Sequence, residues 1–391
     1  MSKIKSFGWL TVNVLALGFV SLLTDISSEM VFCLLPFFMT SVLGIEMSLV
    51  GLIEGAAEAT ASVLKVFSGW FSDRLKERKP LAVLGYSLST MLKPMFAFAT
   101  SSLQVLFIRI LERVGKGIRT SPRDALIADS IQAEVRGKAY GLHRSMDTLG
   151  AVIGPLIAFL LFPLFGYKTI FLLSVIPAAV AVALLVTLVK ERAPVGNASK
   201  TSPLWSEVRS LSREFKTFVI IATIFTLSRF SYAFFLLRAT NLGLTAAHAP
   251  LLYVLFNVVY AAFAFPAGAL ADKIGKGKVI SLGYVVFSAT CVGLILASSP
   301  LHAVILFIGY GLSYAVTDAV QRAIVPDLVK PELRGTAFGV LHTSLGLAAL
   351  PASVIAGALW QYFGPAIPFA FGATLSLISA TLFLALLHGK K

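Results

Sequence analysis

The chain has 391 residues, of which 57% are hydrophobic and only 13% charged, with a mean hydropathy of +0.86. A soluble protein of this length needs a far larger polar surface, so the composition excludes a soluble globular domain and indicates an integral membrane protein. The formal net charge of +14 raises nucleic acid as a partner, but the placement of the charges along the chain removes that reading.

Apolar runs occur at 9–40, 47–71, 80–100, 102–120, 138–162, 168–189, 216–239, 248–271, 279–299, 302–321, 336–361 and 366–387. Each is long enough to cross a bilayer core of roughly 30 Å. No cleavable leader is expected, because Trp9 to Phe19 opens a longer span and no small-residue cleavage site ends it. Cys33 and Cys291 both lie in apolar runs and are read as small core residues; neither a disulfide framework nor a metal site is indicated. Twelve spans put alternate loops on opposite sides, and 24 of the 33 Lys and Arg fall in one set of loops against 2, Lys168 and Arg238, in the other. This bias assigns the basic loops and both termini to the cytoplasm and accounts for the net charge by topology, without nucleic acid. The expected fold class is an all-α membrane protein in the cell membrane.

Several spans carry charge inside. A charge at mid-bilayer costs roughly 2.5–3.5 kcal/mol on insertion scales, so these residues must face each other or a polar cavity. Asp25 and Glu29 stand one turn apart in span 1, with Asp25 near its middle. Span 2 carries Glu54, Glu58 and Lys65 on one helical face with Gly69. Lys93 precedes Pro94 in span 3 and is read as a counter-charge to a span 2 glutamate. Span 4 carries Arg109, Glu112 and Arg113 and runs antiparallel to span 1. At about 1.5 Å per residue, Asp25 reaches the level of Arg113 or Arg109, and Glu29 that of Arg109. His143 and Asp147 lie four apart in span 5, within reach of Arg119 or Lys116. In span 7, Arg229 sits among Ser228, Phe230, Ser231 and Tyr232, a setting in which a guanidinium can hold an anion or a carboxylate. Asn257, with Tyr253 and Tyr260, in span 8, and Tyr314 and Asp318 in span 10, can add polar contacts. His342 in span 11 is expected to be a core histidine.

The chain repeats. "RDALIADSIQAEVRGKAYG" (Arg123 to Gly141) aligns with "QRAIVPDLVKPELRGTAFG" (Gln321 to Gly339), matching Glu134 with Glu332 and Arg136 with Arg334. "GWFSDRLKERK" (Gly69 to Lys79) aligns with "GALADKIGKGK" (Gly268 to Lys278), and "GAVIGP" (Gly150 to Pro155) with "GLAALP". The expected organisation is therefore a six-helix half over 1–189, a cytoplasmic linker over 190–216 rich in Pro, Gly, Asn and Ser, and a second half over 217–391. Within the linker "LWSEVRSLSREF" reads as a short amphipathic surface helix.

The Gly-x-x-x-Asp-basic pattern after spans two and eight resembles the signature loop of the major facilitator superfamily. The second copy matches at Gly268, Leu270, Asp272, Lys273, Gly275 and Lys276; the first, with Gly69, Asp73 and Arg74, departs at Lys76, where a glycine is usual. In physical terms, the glycine allows close helix contact, the aspartate can cap a neighbouring helix, and the basic residues can pair with Glu134 or Glu332, beside Arg136 and Arg334. Together these form an expected conformational latch.

The resemblance implies two pseudo-symmetric six-helix halves with spans 1, 4, 7 and 10 lining a central cavity. On that plan Asp25 and Glu29 are cavity carboxylates, and at least one is expected to couple protons by changing protonation or partner, the alternative being a static salt bridge to span 4. It makes Arg109, Arg113, Arg229, Asn257, Tyr314 and Asp318 the expected substrate-binding residues. Gly150, Gly154 and Pro155 partly match a helix-packing motif of drug/proton antiporters, although Ala158-Phe159 replaces its glycine pair. No phosphate-binding Gly-Lys-Ser/Thr loop is present, so ATP is not the expected energy source. The expected protein is a monomeric secondary transporter, not an enzyme, using a small-molecule substrate and protons and no cofactor. It is expected to lean to export of small organic compounds, with import of an organic anion or uncoupled facilitation as alternatives.

Overall fold

The computed structural model describes residues 11–75, 77–131, 136–191, 204–330 and 333–388. In chain order the helices are α1 (Val12–Phe32), α2 (Leu35–Phe37), α3 (Met47–Leu75), α4 (Lys79–Leu92), α5 (Ser102–Asp129), α6 (Arg136–Leu173), α7 (Val175–Leu188), α8 (Leu204–Ser210), α9 (Arg213–Ser228), α10 (Tyr232–Asn241), α11 (Ala249–Ile274), α12 (Lys276–Leu296), α13 (Pro300–Leu328), α14 (Arg334–Phe363) and α15 (Ile367–His388). A π-helical turn, Phe38–Val42, prolongs α2, and a 3-10 turn, Lys93–Phe98, prolongs α4 at the Lys93-Pro94 step, where the ring denies a helical hydrogen bond.

Ten runs of the described residues are long and apolar enough to cross a membrane. One of them, Ala139–Leu188, spans 50 residues, enough for two crossings. It turns at Gly166, where φ is +66°, a conformation that glycine adopts without a Cβ clash. The 28-residue α5 is long enough to cross but carries too many charges to count among the ten. A double crossing and α5 thus reconcile ten runs with the twelve spans read from the sequence.

Packing divides the chain into two units: Met1–Leu43 with Thr60–Asn197, and Gly44–Ala59 with Ala198–Lys391. The first half of α3 therefore groups with the second unit, although it lies far upstream of the linker. There its backbone approaches α14 so closely that a Cβ built at Gly51 would lie 2.1 Å from the Ser353 carbonyl oxygen. Within the first unit, α1 packs on α6 and α7, and α4 on α5 and α7. Within the second, α9 packs on α14 and α15, and α12 on α13 and α15. The two pairings are the same set of neighbours at the repeat offset, so the sequence repeat is a structural one.

In lipid, burying a leucine gains little over leaving it in acyl chains, so polar and small residues set the helix contacts. Asn13 at the start of α1 donates to Ser130 Oγ at 2.9 Å and to the Lys190 carbonyl at 2.7 Å, and accepts from the Lys190 amide at 2.9 Å. Three helix ends of the first unit are thereby tied together. The second half of α3 is held to α5 by Ser68 Oγ donating to the Gly117 carbonyl at 2.9 Å and Ser121 Oγ to the Lys65 carbonyl at 2.7 Å. In the second unit Arg238 donates twice, at 3.0 and 3.1 Å, to the Leu294 carbonyl at the C-terminal end of α12, where unpaired carbonyls attract a cation. Cys33 and Cys291 are free and buried, as their apolar context implies.

The helix expected in the linker forms as α8, and the seventh span begins earlier than read, at Arg213. That span is also broken: α9 ends at Ser228 and α10 starts at Tyr232, with Arg229 at φ −102°, ψ 66°. Ser231 caps α10, accepting from the Ala233 amide at 3.3 Å.

Candidate functional site

Unit one builds its site on α1, α5 and α6. The carboxylates of α1 face the small-residue notch of α6. A Cβ built at Gly150 would lie 2.5 Å from the Leu22 carbonyl oxygen and 2.9 Å from Asp25 Cβ; at Gly154 it would lie 2.6 Å from the Ile26 carbonyl oxygen and 3.0 Å from Glu29 Cβ. The glycines let the two backbones touch, and the contact seats Asp25 and Glu29 one turn apart on the same notch. Pro155 continues this stretch within α6.

Asp25 is half-buried, and among the described residues it makes no ion pair and no hydrogen bond. The charges that act on it are Asp147, Glu29, Lys116 and Arg119. The expected pairing of Asp25 with Arg109 or Arg113 does not form. Those arginines flank Glu112 on their own helix instead: Glu112 Oε2 is 3.6 Å from Arg109 Nη1 and 3.7 Å from Arg113 Nε. Residues three apart share a helix face, which brings Glu112 beside Arg109. Both guanidiniums also lie over the Phe32 ring, at 3.9 Å for Arg109 and 5.2 Å for Arg113.

Lys93 is fully buried and donates to Ser28 Oγ on α1 at 3.2 Å; it faces the α1–α5 cluster, not the span 2 glutamates. Arg119 lies over the Tyr86 ring at 4.4 Å. Four buried cations of this unit, Lys93, Arg109, Arg113 and Arg119, thus meet one fully buried carboxylate, Glu112, among the described residues. Nearer the start of α1, Asp147 accepts from the Ser21 hydroxyl and lies 3.7 Å from both His143 Nδ1 and Arg144 Nη1.

Unit two builds its site on the α9–α10 break, α11 and α13. Arg229 lies over the Tyr314 ring at 3.8 Å and donates to Thr317 Oγ1 at 3.3 Å. Asp318 accepts from Tyr260 Oη at 2.8 Å and pairs with Arg322 at 2.9 Å. Asn257 is buried and donates to the Tyr253 carbonyl one turn back, so its amide is partly spent on its own helix. Glu54, brought in by the first half of α3, accepts from Ser231 Oγ at 3.4 Å. The stripe of Glu54, Glu58 and Lys65 is thereby divided, since Glu54 belongs to the second unit and Lys65 to the first. His342 is exposed and stacks beside Phe338, not in the core.

The signature loops pair with two aspartates that match in the repeat, Asp129 and Asp327, distinct from the expected partners Glu134 and Glu332. Lys276 pairs with Asp327 at 2.6 Å, and in unit one Arg78 pairs with Asp129. Asp129 and Asp327 are matching positions of the repeat, so each loop is tied to the fourth or tenth span of its own unit. Gly275 turns the second loop with φ +98°. Gly268 is open around its Cα, Gly69 approaches Ser121, and Asp272, Lys273 and Arg334 are exposed. Lys76, Glu134 and Glu332, and the side chains of Asp73, Arg74 and Arg136, lie outside the described residues.

The match to known proteins covers nearly the whole chain. The Major Facilitator Superfamily model matches residues 17–239 and 217–391. The chain belongs to the Major Facilitator Superfamily. It is 39% identical over 385 residues to the uncharacterized MFS-type transporter MJ1317 of Methanocaldococcus jannaschii, covering 96% of this chain and 95% of that one. It is 24% identical over 331 residues to the multidrug resistance protein MdtH of Aeromonas hydrophila, covering 82% and 80%. Among solved structures, a point variant of the nucleoside transporter NupG superposes with a TM-score of 0.83 at 13% identity, covering 96% of this chain and 100% of that one. The likeness to NupG shows the fold alone. The superfamily member described here is a multi-pass, all-helical membrane transporter and not an enzyme.

Proposed function

We propose that this superfamily member is a proton-coupled secondary transporter that works by alternating access and exports small organic compounds, with both termini cytoplasmic. The observation that carries the coupling is Asp25: a carboxylate in the middle of a span, half-buried, with no ion pair or hydrogen bond among the described residues. A permanently salt-bridged carboxylate has no reason to change protonation, whereas one lacking a fixed cation lowers its cost in the membrane by taking a proton. Glu29, one turn away on the same notch, is the second carrier. Export is supported by the Gly150-Gly154-Pro155 notch that seats both carboxylates and by the likeness to a multidrug resistance protein. The signature loops, each tied to a span of its own unit, serve as conformational latches.

Import of an organic anion is the second reading. It is favoured by the excess of buried cations over buried carboxylates in unit one.

The test uses proteoliposomes holding a pH dye, supplied with pooled solute classes. Solute-dependent proton flux is expected in the wild type and is expected to vanish in Asp25→Asn/Glu29→Gln. Its sign separates antiport from symport. Solute movement without proton flux, unchanged in the double variant, would reduce the carboxylates to a structural role and leave a facilitator.

A further inference from the structure

Arg229 is a half-buried cation of unit two whose neighbours supply no counter-charge. Its guanidinium touches the Tyr314 face and the Thr317 hydroxyl, and no carboxylate lies within ion-pair distance among the described residues. Two acids of the same unit, one a turn beyond Tyr314 on α13 and one at Ser231, are already engaged. Asp318 holds Arg322 and Tyr260, and Glu54 holds Ser231 at the start of α10. A guanidinium cannot shed its charge by losing a proton, so inside a membrane it needs an anion from elsewhere.

The surroundings narrow what that anion carries. Tyr232, Tyr253, Phe256, Tyr260 and Tyr314 are all half-buried, while the rings behind them, Phe225, Phe230, Phe235, Tyr284 and Tyr310, are buried. The half-buried rings are linked: Tyr232 to Tyr253 at 5.1 Å, Phe256 to Tyr314 at 5.2 Å and Tyr260 to Tyr314 at 6.1 Å between centroids. They form a line of accessible ring faces and edges along α10, α11 and α13, with one guanidinium beside it. Rings packed for stability alone would be covered like their neighbours. Tyr314 already carries Arg229 on its face, so a ligand cation there would meet the guanidinium at close range in a poorly screened setting. Lipophilic cations are therefore excluded, and a single available cation suits a monoanion.

We propose that the second unit recognises an aromatic monocarboxylate, its carboxylate taken by Arg229 and its ring stacked against the tyrosine line of α11 and α13. This deepens the transporter reading and rests on it for turnover, but it is indifferent to the direction of transport. Two parallel N–H···O bonds from the fork would fix the carboxylate, and offset or edge-on ring contacts would fix the aryl group.

The test is equilibrium binding to the full-length protein in nanodiscs. The probes are naphthoate, indole-3-acetate and benzoate, against naphthamide, cyclohexanecarboxylate and tetraphenylphosphonium. Binding should be roughly tenfold tighter for naphthoate than for naphthamide or cyclohexanecarboxylate, and tetraphenylphosphonium should not compete. Arg229→Gln should weaken naphthoate roughly tenfold and leave naphthamide unchanged, with Arg229→Lys intermediate because it keeps the charge and loses the fork. Tyr314→Leu should remove the preference for aryl over cyclohexyl acids. Melting temperatures measured without ligand guard against unfolded variants, and Arg229→Lys carries the comparison if Arg229→Gln fails to fold. The proposal is overturned if no aryl carboxylate binds, if naphthamide binds equally well, or if Arg229→Lys and Arg229→Gln both leave naphthoate unaffected. Binding without flux of the same acid in proteoliposomes would overturn the transport reading alone. Flux of neutral solutes without acid binding would overturn this proposal alone.

Discussion

The two units share one helix plan yet spend their charges differently. Unit one concentrates buried cations around one glutamate on α5 and keeps Asp25 outside that network. Unit two keeps a single half-buried arginine among tyrosines and commits Asp318 to Arg322. A repeat constrains backbone packing, because helix contacts depend on small residues and spacing. It leaves the inward side chains free to diverge, and here they diverged into a charge network on one side and an aromatic face on the other.

The strongest way to break this contrast is to remove the carboxylate on which unit one depends. Glu112→Gln removes the carboxylate that Arg109 and Arg113 share and is expected to cost about 3–5 kcal/mol, read as a lower midpoint in denaturant unfolding of the purified protein. The counterpart in unit two, Arg229→Gln, is expected to stay within about 1 kcal/mol of wild type in the same measurement, because the side chain is half-exposed and satisfies no buried acid. Equal losses in the two variants would erase the distinction.

Next in size is Gly154→Val, which drives a branched side chain into the Ile26 carbonyl on α1. An overpacking cost of about 1–3 kcal/mol is expected, together with loss of proton-coupled flux, because Asp25 and Glu29 ride on the displaced helix. Retained flux would show that the notch is packing alone.

The smallest expected effect is Asp327→Asn, which removes a pair whose members are 26% and 57% exposed in their side chains. Stability should change by less than about 1 kcal/mol, while the transport rate should fall if the loop ties set conformational switching. An unchanged rate would leave Lys276–Asp327 a surface ion pair.

Part of the helix plan was legible from local sequence. The placement of Asp25, Glu29 and Arg109 inside long helices follows from their position within apolar runs, and the repeat follows from matched loops. The Arg109–Glu112 contact was legible too, since residues three apart on a helix share a face, whereas Arg113, adjacent to Glu112, carried no such signal. The break at Arg229 had a weaker signal, serines at 228 and 231, both of which can satisfy backbone groups at a helix end. Asp129 and Asp327 stood in the aligned repeat, but nothing in the alignment marked them as partners of a basic loop residue. The grouping of residues 44–59 with the second unit had no signal, because it depends on contacts made hundreds of residues away.

What the sequence determined by itself is the class of the molecule: a multi-pass, helical membrane protein built on an internal repeat, with charges inside its apolar runs. These follow from transfer free energy and helix rise, which are properties of short segments. Which charge meets which was decided only by the tertiary structure. A helix can rotate about its axis without changing its hydropathy, and that rotation, set by the Gly150–Gly154 notch and the α9–α10 break, left Asp25 without an ion pair and turned Arg229 toward the tyrosines.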